Sequence, residues 1–253
     1  MKHLATFVAS VTLSASLIGA AVAADLRPVT KAAPAPAPAF SWTGFYVGGH
    51  VGWGWGETNA TPTGIVGLVI DPFRSDTDGV FAGGTIGYNY QYGPIVLGTE
   101  GEFSWSDING SVNGSFLGIL PPAGSSLVAT SQNNWIATLS TRVGVAWDAL
   151  LVYGKAGVAW ANNDYSVNAN LGGLFSYAST ISETETGWLV GGGVEWAFAR
   201  NWSAKIEGNY MDFGSKNRSF AGIPVGGGIS LPINADIESH ISTVKFGVNY
   251  RFY

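Results

Sequence analysis

The chain has 253 residues, of which only 11% are charged and 46% hydrophobic, with 36 glycines, 10 tryptophans and no cysteine. A soluble domain carries roughly 25% charged residues, so an ordinary water-facing surface is excluded, and a net charge of −5 supplies no basic patch for nucleic acid. Disulfides and thiolate metal sites are excluded as well. Mean hydropathy is +0.20, yet past the N-terminus no apolar run reaches the roughly 18 residues of a membrane helix, so the apolar residues must be dispersed by alternation.

At the N-terminus, Lys2 and His3 precede an apolar stretch, Leu4–Ile18, and small residues lead to Ala21-Val22-Ala23. Basic start, short apolar centre and A-x-A end predict a secretory signal peptide over residues 1–23, cleaved before Ala24. Residues 24–41 alternate Ala with Pro from Ala33 to Ala39, which fixes φ and removes donors. This predicts an extended periplasmic linker that joins no sheet.

From residue 42 onward the chain alternates. In 42–56, WTGFYVGGHVGWGWG, residues Phe45, Val47, Val51, Trp53 and Trp55 share one parity against Tyr46, Gly48, His50, Gly52 and Gly54. Residues 57–78 hold Pro62 and Pro72 with several acids and read as a long loop containing a small apolar hairpin in Ile65–Ile70. Alternation resumes over 79–91, and Tyr92-Gly93-Pro94 turns the chain into 95–106, where Leu97, Phe103 and Trp105 oppose Val96, Glu100, Glu102 and Ser104. A second long loop, 107–133, contains Pro121-Pro122, which no central strand tolerates. Next, Trp135, Leu139, Val143 and Trp147 oppose Thr138, Ser140 and Arg142; Asp148-Ala149 turn; Val152, Val158 and Trp160 then oppose Tyr153 and Lys155. Beyond a third loop, 162–184, the strand 184–199 sets Trp188, Val190, Val194 and Trp196 against Glu185, Leu189 and Glu195. Arg200-Asn201 turn into 202–213, where Trp202, Ile206 and Tyr210 oppose Lys205, Glu207 and Asn209. A fourth loop, 214–238, leads to the closing strand 239–253, with Val244, Phe246, Val248, Tyr250 and Phe252 against Thr243, Lys245, Asn249 and Arg251.

Eight strands joined alternately by short and long connections predict an all-β, up-and-down antiparallel transmembrane β-barrel over residues 42–253, with short turns in the periplasm and longer loops outside. The even count places both termini in the periplasm. A soluble eight-stranded barrel with an apolar cavity, as in lipocalins, alternates in the same way. Two features favour the membrane. The polar parity is mostly Gly, Ser, Thr and Ala, far short of the roughly 25–35% charge of a soluble surface, and Trp and Tyr gather toward strand ends, as they do at lipid–water boundaries.

The stretches WTGFYVGGHVGWGWG, GGTIGYNYQ, STRVGVAWD, YGKAGVAWAN, TGWLVGGGVEWA, NWSAKIEGNYMDFG and VKFGVNYRF together resemble the small eight-stranded outer-membrane proteins of alphaproteobacteria, known as outer membrane immunogenic or porin-family proteins. The barrel is similar to the transmembrane domain of outer membrane protein A. The resemblance covers about residues 42–253. It implies a cell outer membrane location among lipid and lipopolysaccharide, delivery by periplasmic chaperones and the barrel-assembly machinery, and a C-terminal aromatic assembly signal, here Tyr250, Phe252 and Tyr253. Such barrels commonly end on a lipid-parity Phe; here Phe252 holds that parity and Tyr253 is one residue more.

The residues offer little for catalysis, which needs a nucleophile with its base, or a metal cluster. His50 falls mid-strand on the inner parity and His240 at the start of the last strand; both read as ordinary lumen or rim histidines. Glu100 and Glu102 face the same way, as a glycosidase pair would, but with cations in reach they read as ion pairs. No cofactor and no enzyme activity are expected. By parity Glu100, Glu102, Arg142, Lys155, Glu195, Lys205, Glu207, Lys245 and Arg251 point inward, and an eight-stranded lumen has room only for side chains. Such charges must pair. The expected scheme has Arg142 and Lys155 answering Glu100 and Glu102, and Lys205 and Lys245 answering Glu195 and Glu207, in a structural barrel that exposes four loops at the surface. The alternative reading is a narrow porin for small solutes.

Overall fold

A computed structural model describes residues 40–63, 69–70, 73–114, 116–117, 125–171, 175–226 and 229–252; the signal peptide and nearly all of the linker predicted above lie outside these residues. Among the described residues ten strands follow in order: β1 (Gly44–Thr63), β2 (Val69–Ile70), β3 (Phe73–Tyr92), β4 (Ile95–Gly114), β5 (Phe116–Leu117), β6 (Ser126–Trp147), β7 (Leu150–Leu171), β8 (Phe175–Ala197), β9 (Trp202–Gly226) and β10 (Ile229–Arg251). Eight of them close into a barrel in the order β1-β10-β9-β8-β7-β6-β4-β3. Chain neighbours pair antiparallel, and the ring shuts where the first strand meets the last, from Tyr46↔Arg251 upward. At the short end the turns are tight. Gly93 (φ 58°) and Asp148 (φ 52°) adopt the left-handed backbone that two-residue hairpins require.

The outer face carries the parity read from the sequence. Exposed Val47, Val51, Ile86, Leu139, Val143, Val152, Val194, Ile206, Phe246 and Val248 form an apolar belt. Above it stand Trp55, Trp105, Trp188 and Tyr210; below it stand Phe45, Tyr88, Tyr90, Trp147, Trp196, Trp202 and Phe252. A continuous exposed belt of this extent belongs in hydrocarbon, and the two aromatic rows lie where its boundaries with water fall. Tyr250 stacks edge-on against Trp202 and Phe252, both at 5.1 Å, within the lower row. Tyr253 lies outside the described residues.

The four predicted long loops need correction. The barrel strands run 20 to 25 residues, about twice the roughly 9–11 that cross a bilayer. Much of 57–78, 107–133, 162–184 and 214–238 is therefore strand standing beyond the upper aromatic row. These segments mix polar residues into both parities, so they carry no sustained alternation to betray them. Ladder pairing needs only backbone, and water accepts the polar outer face there. The apolar patch at 65–70 is not a local hairpin in its described part: Val69–Ile70 pairs with Phe116–Leu117 of the next connection.

In this extension the ring opens at two seams. Among the described residues, β8 and β9 pair only from Trp188↔Asp212 down to Ala197↔Ser203, and β3 and β4 only from Asp78↔Asn109 down to Tyr92↔Ile95. At the first seam, Gly214 (φ 68°) and a register shift opposite Glu238/His240 turn β9 aside, and Asp212 Oδ1 accepts from the Gly214 N–H at 2.7 Å. Above the membrane the barrel thus continues as two four-stranded walls, β3-β1-β10-β9 and β4-β6-β7-β8.

Candidate functional site

Inward side chains fill the lumen in storeys. At the end with the short turns Trp42, Val96, Ala146, Leu151 and Tyr153 form an apolar cluster. Charged groups lie above it. Above these, Phe81, Ile108, Ile136, Leu189, Met211, Phe213 and Ile241 form a second apolar layer. A polar group tops the stack, where the Asn133 amide donates to Asn163 Oδ1 at 2.7 Å and Asn163 and Tyr165 each donate to Glu185 at 3.1 Å.

The charged storey contains all nine inward residues named from the sequence, each buried. Lys155 Nζ stands 2.9 Å from Glu100, 3.1 Å from Glu102 and 2.6 Å from Glu207. Lys205 Nζ stands 2.9 Å from Glu100, 3.3 Å from Glu102 and 3.6 Å from Glu207. Lys245 joins Glu102 and, at 2.9 Å, Glu207. Three carboxylates and three ammoniums thus form one knot on the barrel axis. Oxygens of these carboxylates lie within 4.8 Å of one another, a spacing that could hold a metal ion, but the lysine ammoniums supply the positive charge there. Glu195 belongs to a second group, bound by Arg142 Nη1 at 3.1 Å and approached by Arg251 Nη2 at 3.8 Å. Arg142 also approaches Glu100 at 3.5 Å, which joins the two groups.

The expected pairing scheme is corrected here. Arg142 and Lys155 do reach the β4 carboxylates, but Lys205 does not answer Glu195. These two are direct ladder neighbours on β9 and β8, yet Lys205 extends across the lumen to β4 and leaves Glu195 to the arginines. Ladder adjacency decides pairing on an open sheet. Inside a closed eight-stranded ring the opposite wall is within reach of a lysine, so partners are chosen across the axis.

Two tyrosines escaped the sequence reading. Tyr46 Oη donates to Glu100 Oε2 at 2.9 Å and Tyr153 Oη to Glu207 Oε2 at 2.7 Å. Each ring crosses a glycine of the neighbouring strand, Gly87 and Gly193, where a Cβ would collide with the ring of Tyr46 or lie 3.0 Å from the hydroxyl of Tyr153. The Arg142 guanidinium lies between the rings, 4.7 Å from Tyr46 and 5.0 Å from Tyr153. The arrangement Tyr, Gly, Glu on consecutive strands thus occurs in β1, β3, β4 and again in β7, β8, β9. Tyrosines on the inner parity, opposite inner glycines, were the available signal.

His50 lies on the inner face as expected, with Nδ1 3.0 Å from Thr85 Oγ1 and Nε2 2.8 Å from Ser104 Oγ. Ser104 and His50 stand at the separation of a nucleophile and its base, but both are buried in the lumen beneath the upper apolar layer. His240 is not at a strand start; it sits midway along β10, half-buried, 5.9 Å from the Tyr210 ring.

A closed antiparallel barrel with an apolar outer belt, two aromatic rows and a lumen packed with side chains is an integral outer-membrane β-barrel. The chain belongs to the outer membrane protein beta-barrel domain family, which it matches over residues 12–252. It is 31% identical over 260 residues to the 31 kDa outer-membrane immunogenic protein of Brucella melitensis, spanning 95% of this chain and 97% of that one. With the 22 kDa outer membrane protein of Rhizobium leguminosarum it shares 30% over 182 residues, 71% and 68% of the two chains. Among solved structures, the outer membrane protease OmpT of Escherichia coli is similar with a TM-score of 0.50 at 11% identity, covering 86% of this chain and 99% of that one, a likeness of fold alone. The protein is therefore a bacterial outer-membrane protein, set among outer-membrane lipid and lipopolysaccharide.

Proposed function

We propose that this protein is a structural, non-conducting barrel that contributes to envelope integrity and holds its two-walled extension out to the environment or a host. The observation that carries this reading is Lys155, whose ammonium touches three carboxylates from two opposite strands on the lumen axis, below a continuous apolar layer. An ion passing here would have to part buried pairs, each costing several kcal/mol to separate. Relatives named outer-membrane immunogenic proteins support a surface that antibodies reach. On this reading both termini are periplasmic, the C-terminal aromatics Tyr250, Phe252 and Tyr253 serve the assembly machinery, and periplasmic chaperones deliver the chain. The buried setting of Ser104 and His50 supports a role other than catalysis.

Single-channel recording on refolded protein tests the reading. Native protein is expected to show no steady conductance, and Arg142→Ala, which loosens both charge groups, to introduce brief openings. A large, steady native conductance unaffected by Arg142→Ala would overturn it in favour of a narrow porin.

A further inference from the structure

The segment before the first strand does more than lead into it. Residues 40–43 turn under the barrel, and Trp42 is fully buried. Its indole N–H donates to the Asp148 carbonyl at 3.0 Å in the turn between β6 and β7, and its backbone N–H donates to Gln91 Oε1 at 2.7 Å near the turn between β3 and β4. The Gln91 N–H in return donates to Thr43 Oγ1 at 2.9 Å. The opposite face of the indole is covered by the last residue of β10: the Arg251 guanidinium lies 4.2 Å from the Trp42 ring and 5.0 Å from Phe40, and its Nη1 donates to the Ser41 carbonyl at 3.3 Å.

This contact spans a particular seam. Every other junction in the ring joins strands that follow one another along the barrel, whereas β1 and β10 come from the two ends of the sheet. Nothing local in the chain holds them together. We propose that Phe40, Trp42 and Arg251 form a clasp that locks the β1–β10 seam and stops the periplasmic mouth, so that the barrel, once closed, opens slowly. The planar guanidinium suits the site because it can stack on an aromatic face and still turn an edge toward Glu195, which an ammonium cannot do equally well. Because these contacts join the extreme ends of the sheet, they form only once the ring has shut. They should then slow unfolding without speeding folding, as contacts absent from the transition state do.

The test uses full-length mature protein refolded into lipid vesicles, with folding and unfolding in urea followed by the gel shift between folded and boiled chain. Trp42→Ala and Arg251→Lys should each unfold about tenfold faster while folding at nearly the native rate. The double variant should unfold little faster than either single one, since both remove the same clasp. Unfolding of Trp42→Ala at the native rate, or effects that multiply fully in the double variant, would overturn the proposal. Hydrogen exchange on the native protein is a second measurement that does not depend on variants folding. The Trp42 and Gln91 amides should be protected as strongly as the adjoining strand ends, and rapid exchange at both would rule the clasp out. Neither measurement depends on conductance, so the clasp and the non-conducting reading stand or fall separately.

Discussion

The lower and upper halves of the same strands obey different rules. Between the aromatic rows β8 and β9 pair continuously, with Val194 and Ile206 outward and Glu195 and Lys205 inward. Past Trp188 and Asp212 both strands run on without pairing each other, and Ser182, Thr184 and Thr186 face outward. In hydrocarbon every backbone N–H and C=O must find a partner within the protein, so an open edge is forbidden. Above the membrane water satisfies an unpaired edge, and the sheet is free to part. The same solvent difference governs side chains: ions inside the lower half are knotted together, while outward polar groups on the upper walls need only water.

The sharpest way to break this contrast is to remove one ion from each half. Glu100→Ala leaves Lys155 and Lys205 short of a carboxylate in a buried site and should cost about 3–5 kcal/mol. Glu238→Ala, exposed on the extension, should stay within about 0.5 kcal/mol. Urea titration in vesicles measures both, and equal losses would mean the lumen charges are hydrated.

Arginine substitutions on one parity of one strand sharpen the lipid boundary. Val194→Arg lies between the aromatic rows, one outward position above Trp196, and should cost about 2 kcal/mol, the low end of the depth-dependent range; Thr184→Arg, ten residues nearer the tip on the same face, should fold nearly as the native chain. If both substitutions are tolerated, the outer belt does not face lipid. On the inner face, Asn249→Arg should also be costly, since Asn249 is buried and its amide donates to Glu195 at 3.0 Å.

A protease added to intact cells should cut, if anywhere, in the parts of 57–78, 107–133, 162–184 or 214–238 beyond the upper aromatic row. Cleavage at Asp148 or Arg200 instead would invert the orientation. The smallest effect is expected from shortening the extension. Removing residues 218–234 at the tips of β9 and β10 should change stability by less than about 1 kcal/mol, because loop entropy varies only logarithmically with length. A large loss would show that the upper walls brace the barrel below.

The lower half was legible because its rule is local. Lipid outside and a crowded lumen inside impose a period of two, so Val244, Phe246 and Val248 separate from Lys245 and Asn249 without knowledge of any partner. The upper strands were misjudged as loops because Asn59, Ser166 and Ser182 on the outer parity and buried Thr58, Asn163 and Ser239 on the inner are all polar, so hydrophobicity does not alternate there. Trp42 was counted into the first strand on its neighbours' pattern, although β1 begins at Gly44.

Sequence alone therefore determined the barrel, its outward face, its strand order and the set of residues that point inward, since each follows from chemistry that repeats every second residue along one strand. Only the closed ring decided which inward charge meets which, that Lys205 passes over its ladder neighbour Glu195 for Glu100 on the far wall, and that Trp42 folds beneath the mouth onto Arg251. Those contacts join residues far apart in the chain. Their distances are set by the diameter and stagger of the barrel, which no single strand encodes.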